Sequence, residues 1–233
     1  MKICVIGNSH VAAIKLAYEA LLAETPHEMT FFAGLGRRIE RFEVANGVLV
    51  PPADDHKIQY AINITSGGLT EVDPALYDSF LIVGMSGGVN RLVSSVTRHL
   101  SEGATTCAIT DYWHNSRLPC LLKNLRSLTK KPIMVGLAPL LAEAQVNDTT
   151  PEAYTRLVTL SNALYFSRFN ATLIGQPLDT IVNGDATEIG FSRMSEKLLK
   201  GGNELGGLHP EGENSHMNKE YGLLWLQQYF AAL

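Results

Sequence analysis

Apolar positions along the chain follow two rhythms. Short continuous runs occur at Ile3-Cys4-Val5-Ile6, Phe31-Phe32-Ala33, Phe80-Leu81-Ile82-Val83 and Ile133-Met134-Val135, each ended by glycine or a polar turn. Such runs predict strands buried on both faces, over about 2–6, 28–33, 79–84, 132–138 and 172–175. Between them, apolar residues at helical spacing predict helices over about 11–22, 89–100, 116–128, 152–170 and 219–231. Strands alternating with helices imply an α/β fold: one three-layer α/β/α sandwich built on a parallel sheet of about five strands. Residues 42–66 break the alternation. Asn46-Gly47 is a hairpin signal and 58–64 alternates apolar with polar, so a small β excursion is expected there. Thr105–Thr110 reads as a further extended piece, and Asp111-Tyr112-Trp113-His114 as a cluster that lines a pocket or packs.

Composition narrows the class. The 233 residues suit a single domain over 1–233, and 45% hydrophobic with 18% charged residues marks a globular chain. A net charge of −4, with basic residues scattered, argues against nucleic acid as the partner. The three cysteines show no metal or redox spacing and are expected to be reduced. No apolar run reaches membrane-span length, and the chain enters a strand at once, so a cytoplasmic protein without a signal peptide is expected. No metal or cofactor is called for.

In a parallel sheet, ligands sit outside the carboxyl ends of the strands. Ser9, Gly34, Ser86, Pro139 and Pro177 all fall at such ends. Ser9 follows the turn Gly7-Asn8, where a helix begins. It is either an N-cap or a nucleophile whose oxyanion the helix N–H groups stabilise. Gly34-Leu35-Gly36 either serves turn geometry or presents a backbone N–H to a ligand. Glu213 and His216 are three apart, just before the last helix. Either His216 caps that helix, or Glu213 turns back on the imidazole Nδ1–H while Nε2 takes a serine proton. His10, next to Ser9, is expected to point away along the new helix. His209 lacks a carboxylate three residues ahead.

A first-strand Gly-x-Ser joined to a Glu-x-x-His-x-Asn before the last helix resembles the SGNH hydrolases, the GDSL-like esterase superfamily. Ser215-His216-Met217-Asn218 with Tyr221-Gly222 is the run most similar to that family. The resemblance implies a flavodoxin-like sheet, Ser9 as nucleophile, His216 as base and Glu213 as its orienting acid, one methylene longer than the family's aspartate. It implies an oxyanion hole of the Ser9 and Gly34 N–H groups, with Gly36 the competitor of Gly34. The family's third block is Gly-x-Asn; here Gly84-Met85-Ser86 stands there, so the Ser86 hydroxyl would replace the amide or else cap the helix near Val89. The activity implied is hydrolysis of small O-acyl esters, including O-acetyl carbohydrate esters. The rivals are an O-acyltransferase using the same serine, and a catalytically weak member of the fold that binds a carbohydrate or protein.

Overall fold

The structure is a computed structural model and describes residues 1–233 except 37, 86–88, 90, 91, 94, 95, 97–99, 117, 144–150 and 199–206. Five parallel strands make the central sheet: β1 (Lys2–Gly7), β2 (Glu28–Ala33), β5 (Ser79–Val83), β6 (Ile133–Gly136) and β8 (Ala171–Ile174). Their order is β2-β1-β5-β6-β8, a flavodoxin-like arrangement. Alternate side chains of each strand face opposite layers. Ile3 and Val5 of β1, and Leu81 and Val83 of β5, pack with helices α1 (Val11–Leu21) and α6 (Lys219–Ala231). Cys4, Ile6, Phe80 and Ile82 pack on the other face, with α2 (His56–Ser66), α3 (Glu102–Asn115), α4 (Leu118–Leu128) and α5 (Glu152–Leu164). The result is an α/β/α sandwich whose strands are mostly apolar because both faces are covered.

The α1–α6 layer depends on a missing side chain. A Cβ on Gly222 would lie 2.1 Å from the Ala13 carbonyl oxygen and 2.9 Å from the Ala17 Cβ. Lower in the same helix, Trp225 fills the space above Gly136, where a Cβ would meet its ring at 2.6 Å. The two helices and the sheet are therefore as close as their backbones allow.

Two expectations differ from the structure. The hairpin of residues 42–66 is present as β3 (Glu43–Ala45) and β4 (Val48–Val50), with Asn46 and Gly47 at φ 51° and 83°. The rest of that excursion is not β structure but α2. Its buried Ile58, Ala61, Ile62 and Thr65 follow the helical period, the Asp55 side chain accepts from the Ile58 N–H, and Gly67 closes it in the left-handed region. Thr105–Thr110 is likewise helical, inside α3, where Ser101 caps the start and Thr105, Ile109 and Trp113 are buried four apart. Trp113 packs in the core and donates to Ser161 Oγ at 2.9 Å, so the cluster at 111–114 packs through that ring.

Of the helix expected after β5, Val89, Leu92, Val93 and Val96 are helical and buried. A small sheet of β7 (Ala142–Glu143), β9 (Ile181–Val182) and β10 (Ala186–Glu188) lies outside the elements expected from the sequence. Among the described residues no helix is long and apolar enough to cross a membrane.

Gly222→Ala tests the helix crossing. Helix propensity alone favours alanine by about 1 kcal/mol, while overpacking against a backbone oxygen costs about 1–3 kcal/mol or more. The clash is expected to win, lowering the urea midpoint and dropping Tm by about 3 °C or more. An unchanged or raised Tm would show that the crossing is looser than drawn.

Candidate active site

The carboxyl end of β1 is where the sheet order turns, between β2 and β5. Gly7 ends the strand because a Cβ there would lie 2.5 Å from the Val83 carbonyl oxygen of β5. Asn8 then latches the two strand ends together. Its Nδ2 donates to the Gly84 carbonyl and its Oδ1 accepts the His10 N–H at 3.1 Å. Gly84 has φ +76°, and the Asn8 Oδ1 occupies the place of its absent Cβ, at 2.3 Å. This latch carries Ser9 at the bend. Helix α1 takes His10 as its N-cap with no side-chain cap bond, so the Ser9 hydroxyl is not the cap.

The Ser9 Oγ instead meets His216 Nε2 at 2.9 Å. His216 is not the cap of α6 either; Asn218 is, accepting the Tyr221 N–H at 3.1 Å. The Asn218 amide also donates to the Gly190 and Arg193 carbonyls, at 2.9 and 3.1 Å, which anchors the loop before α6. On the other side of the ring, His216 Nδ1 lies 3.1 Å from Glu213 Oε1. These partners define the tautomer: Nδ1–H donates to the carboxylate and the Nε2 lone pair accepts from Ser9.

Glu213 is held from several directions. The His216 N–H donates to Oε2 at 3.0 Å, and the Ser215 N–H to Oε1 at 2.9 Å. The Ser215 hydroxyl donates to Oε1 as well. Burial pushes the acid up, but these hydrogen bonds outweigh it and bring Glu213 down to about 2. Ser215 was not singled out from the sequence for this role; its place between acid and base is the only sequence signal.

Two further histidines converge on His216. The His10 ring does not point away but stacks on His216, centroids 4.9 Å apart and planes at 25°. The reason is the Asn8 turn, whose side chain accepts the His10 N–H and leaves His10 as the N-cap of α1, on the site side. The His209 ring stacks on His216 at 4.1 Å and 13°. Burial, and then the charge His216 can carry, lower His10 to about 4; both lower His209 too, with Glu213 opposing. Donor atoms of His209, Glu213 and His216 lie within 4.8 Å of one another. Near-parallel stacked rings aim their in-plane lone pairs side by side, a poor fit to a tetrahedral ion.

The oxyanion expectations divide. The Gly34 N–H, expected to face the oxyanion, donates to the Gly7 carbonyl at 3.0 Å. A Cβ on Gly34 would meet the Cδ1 end of the Ile58 side chain at 2.2 Å. Its competitor Gly36 is exposed at φ +60°, with open space where a Cβ would stand. Ser86 lies outside the described residues.

No protein-family model and no curated relative matches the chain. Solved structures similar to it include a gut microbial diltiazem-metabolizing enzyme, at 13% identity and TM-score 0.35, covering 82% of this chain and 38% of that one. Another is a carbohydrate esterase family 2 enzyme with a carbohydrate-binding domain from Corynascus thermopiles (Myceliophthora fergusii), at 14% identity and TM-score 0.38, covering 99% and 65%. A third is a flavoprotein in complex with FMN from Lactobacillus acidophilus, at 14% identity and TM-score 0.26, covering 75% and 90%. The chain thus spans well under half of the first and about two thirds of the second.

The depressed Glu213 acid links stability to pH. Its folded value lies below its unfolded one, so between them the unfolded chain binds more protons and stability rises with pH. Urea unfolding of the wild type and Glu213→Gln is expected to differ most above about pH 5 and to converge as pH falls toward about 2. A gap independent of pH would show that the carboxylate charge is not what these hydrogen bonds hold.

Proposed function

We propose that the protein is a serine esterase acting on small O-acyl esters. The observation that carries this reading is the 2.9 Å contact between Ser9 Oγ and His216 Nε2, across 207 residues of sequence, with Glu213 at the far nitrogen of the same ring. A serine hydroxyl is a weak nucleophile until a base takes its proton, and an imidazole is a good base when its tautomer is fixed. In this reading Ser9 Oγ attacks the ester carbonyl as its proton passes to His216 Nε2. The imidazolium faces the ionised Glu213 and then gives the proton to the departing alcohol. The acyl group stays on Ser9 until a water, deprotonated by the same nitrogen, attacks it. The carboxylic acid leaves, and Ser9 regains its proton.

The carbonyl oxygen turns negative during each attack, and N–H donors must face it. The Ser9 N–H at the start of α1 is one such donor. With the Gly34 N–H engaged in the sheet, Gly36 takes the second place, and the Ser86 hydroxyl is assigned the third. A hydroxyl rotates more freely than an amide and is a less preorganised donor, so turnover is expected to be slow.

The reading is tested with a fluorophosphonate probe and an aryl acetate. Wild type is expected to label and to hydrolyse the ester. Ser9→Ala is expected to abolish both while Tm moves by only a few degrees, since one lost hydrogen bond costs about 1 kcal/mol. His216→Ala should do the same, and Glu213→Gln should lower kcat by about 10²–10⁴-fold. Undiminished turnover in Ser9→Ala would refute the assignment.

A further inference from the structure

The proposed steps use one histidine and leave two others stacked on it. The hydrogen bonds to His216 lie at opposite ends of its ring, 3.1 Å at Nδ1 and 2.9 Å at Nε2. They fix where the nitrogens point. They resist only weakly a roll of the ring about the line joining them, because acceptor directions at a carboxylate and a hydroxyl are broad. A roll tilts the Nε2 lone pair away from the serine hydrogen. What opposes it is contact with the ring faces, and there the rings of His209 and His10 lie.

His209 makes the closer and flatter contact, at 4.1 Å and 13°. Its backbone is well supported. The His209 N–H donates to the Ser195 carbonyl and the Lys197 N–H to the Gly207 carbonyl, both at 2.9 Å, and Glu196 pairs with Leu208. Ser195 is buried, and Leu198 is buried in the cluster of α1 and α6. The His209 Nε2 is buried with no hydrogen-bond partner among the described residues. The titratable groups that act on His209 are His216, Glu213 and Lys197; burial comes first, and with His216 and Lys197 it favours the uncharged ring. An uncharged flat ring packs on His216 both before and after His216 takes a proton, and its π face attracts the imidazolium.

We infer that His209 is a positioning residue: its ring, stacked on His216, holds the plane in which His216 accepts the Ser9 proton. The inference rests on the serine-esterase reading above. It requires the shape of the ring and not its nitrogens, which separates it from a role in proton transfer or metal binding.

The experiment compares His209→Ala and His209→Phe. Loss of the stack is expected to lower kcat about 10- to 100-fold in His209→Ala, with KM within about two-fold, because misplacing a catalytic group by a fraction of an ångström acts on the reacting step. His209→Phe is expected to restore kcat to within about three-fold of wild type. If His209→Ala does not fold, His209→Phe decides alone: near-normal kcat supports the inference. A folded His209→Phe with a loss of about 10-fold or more overturns it, because a nitrogen is then needed. A second measurement does not depend on turnover. Nitrogen NMR of the His216 ring is expected to give the same Nε2 signal in wild type and His209→Phe, and a shifted Nε2 signal in His209→Ala, where the roll tilts the lone pair off the Ser9 hydroxyl. Unchanged His216 signals in a folded His209→Ala overturn the inference. If wild type neither labels with the fluorophosphonate nor hydrolyses the ester, the esterase reading fails by itself, and the ring signals still decide whether His209 holds His216.

Discussion

Everything at the site depends on how closely two helices cross. Helix α1 starts two residues after Ser9, and α6 starts three residues after His216. The helices meet where Gly222 faces the Ala13 backbone, with Ala17 beside it. A helix is a stiff rod rising about 1.5 Å per residue, so a contact at Ala13 fixes the helix start to within a few ångströms. The contact between Ser9 and His216 is therefore a consequence of helix packing. No local sequence preference brings together two residues from opposite ends of the chain. A larger residue at 222 would separate the rods and, with them, the hydroxyl from the imidazole.

Helix packing brings the loops together, and polar latches then set the atoms. At the β1 end, Asn8 fills the space left by Gly84 and ties the turn to β5. At the α6 end, the Asn218 amide ties the last loop to Gly190 and Arg193 while its oxygen caps the helix. Two asparagines thus pair with backbone groups next to a strand end and a helix start. Glu213 works by a similar balance. Its burial disfavours charge, and the donors gathered round it favour charge more strongly.

Much of the frame was legible because both faces of the sheet are covered. The strands read as unbroken apolar runs, and their carboxyl ends fall at Gly7, Ala33, Val83 and Gly136. Ser9, Glu213 and His216 were legible as candidates because each sits at an element boundary that the pattern marks. Helix α2 was not, because Ile58, Tyr60, Ile62 and Ile64 alternate as in a strand; only burial separates Ile58 and Ile62 from the exposed Tyr60. Gly34 misled because a glycine at a strand end fits both a ligand-facing N–H and one turned into the sheet, and the Gly7 carbonyl, distant in sequence, takes that N–H. The histidine stack was invisible for the same reason. His10, His209 and His216 come from a turn, the flank of an antiparallel bridge and a helix entry, and only tertiary structure superposes them.

That stack has an electrostatic logic. Three imidazoles and one carboxylate share a small volume, and the carboxylate touches only one of the rings, His216. Two charged imidazoles about 4 Å apart would repel by roughly 4 kcal/mol at an effective dielectric of 20. Burial adds to that penalty for His10, held down to about 4, and for His209. A single positive charge in the stack is therefore favoured over two. His216, the ring with the carboxylate at one nitrogen, has its other nitrogen facing Ser9, so in the proposed reaction the serine proton would enter the stack between two rings that burial keeps uncharged.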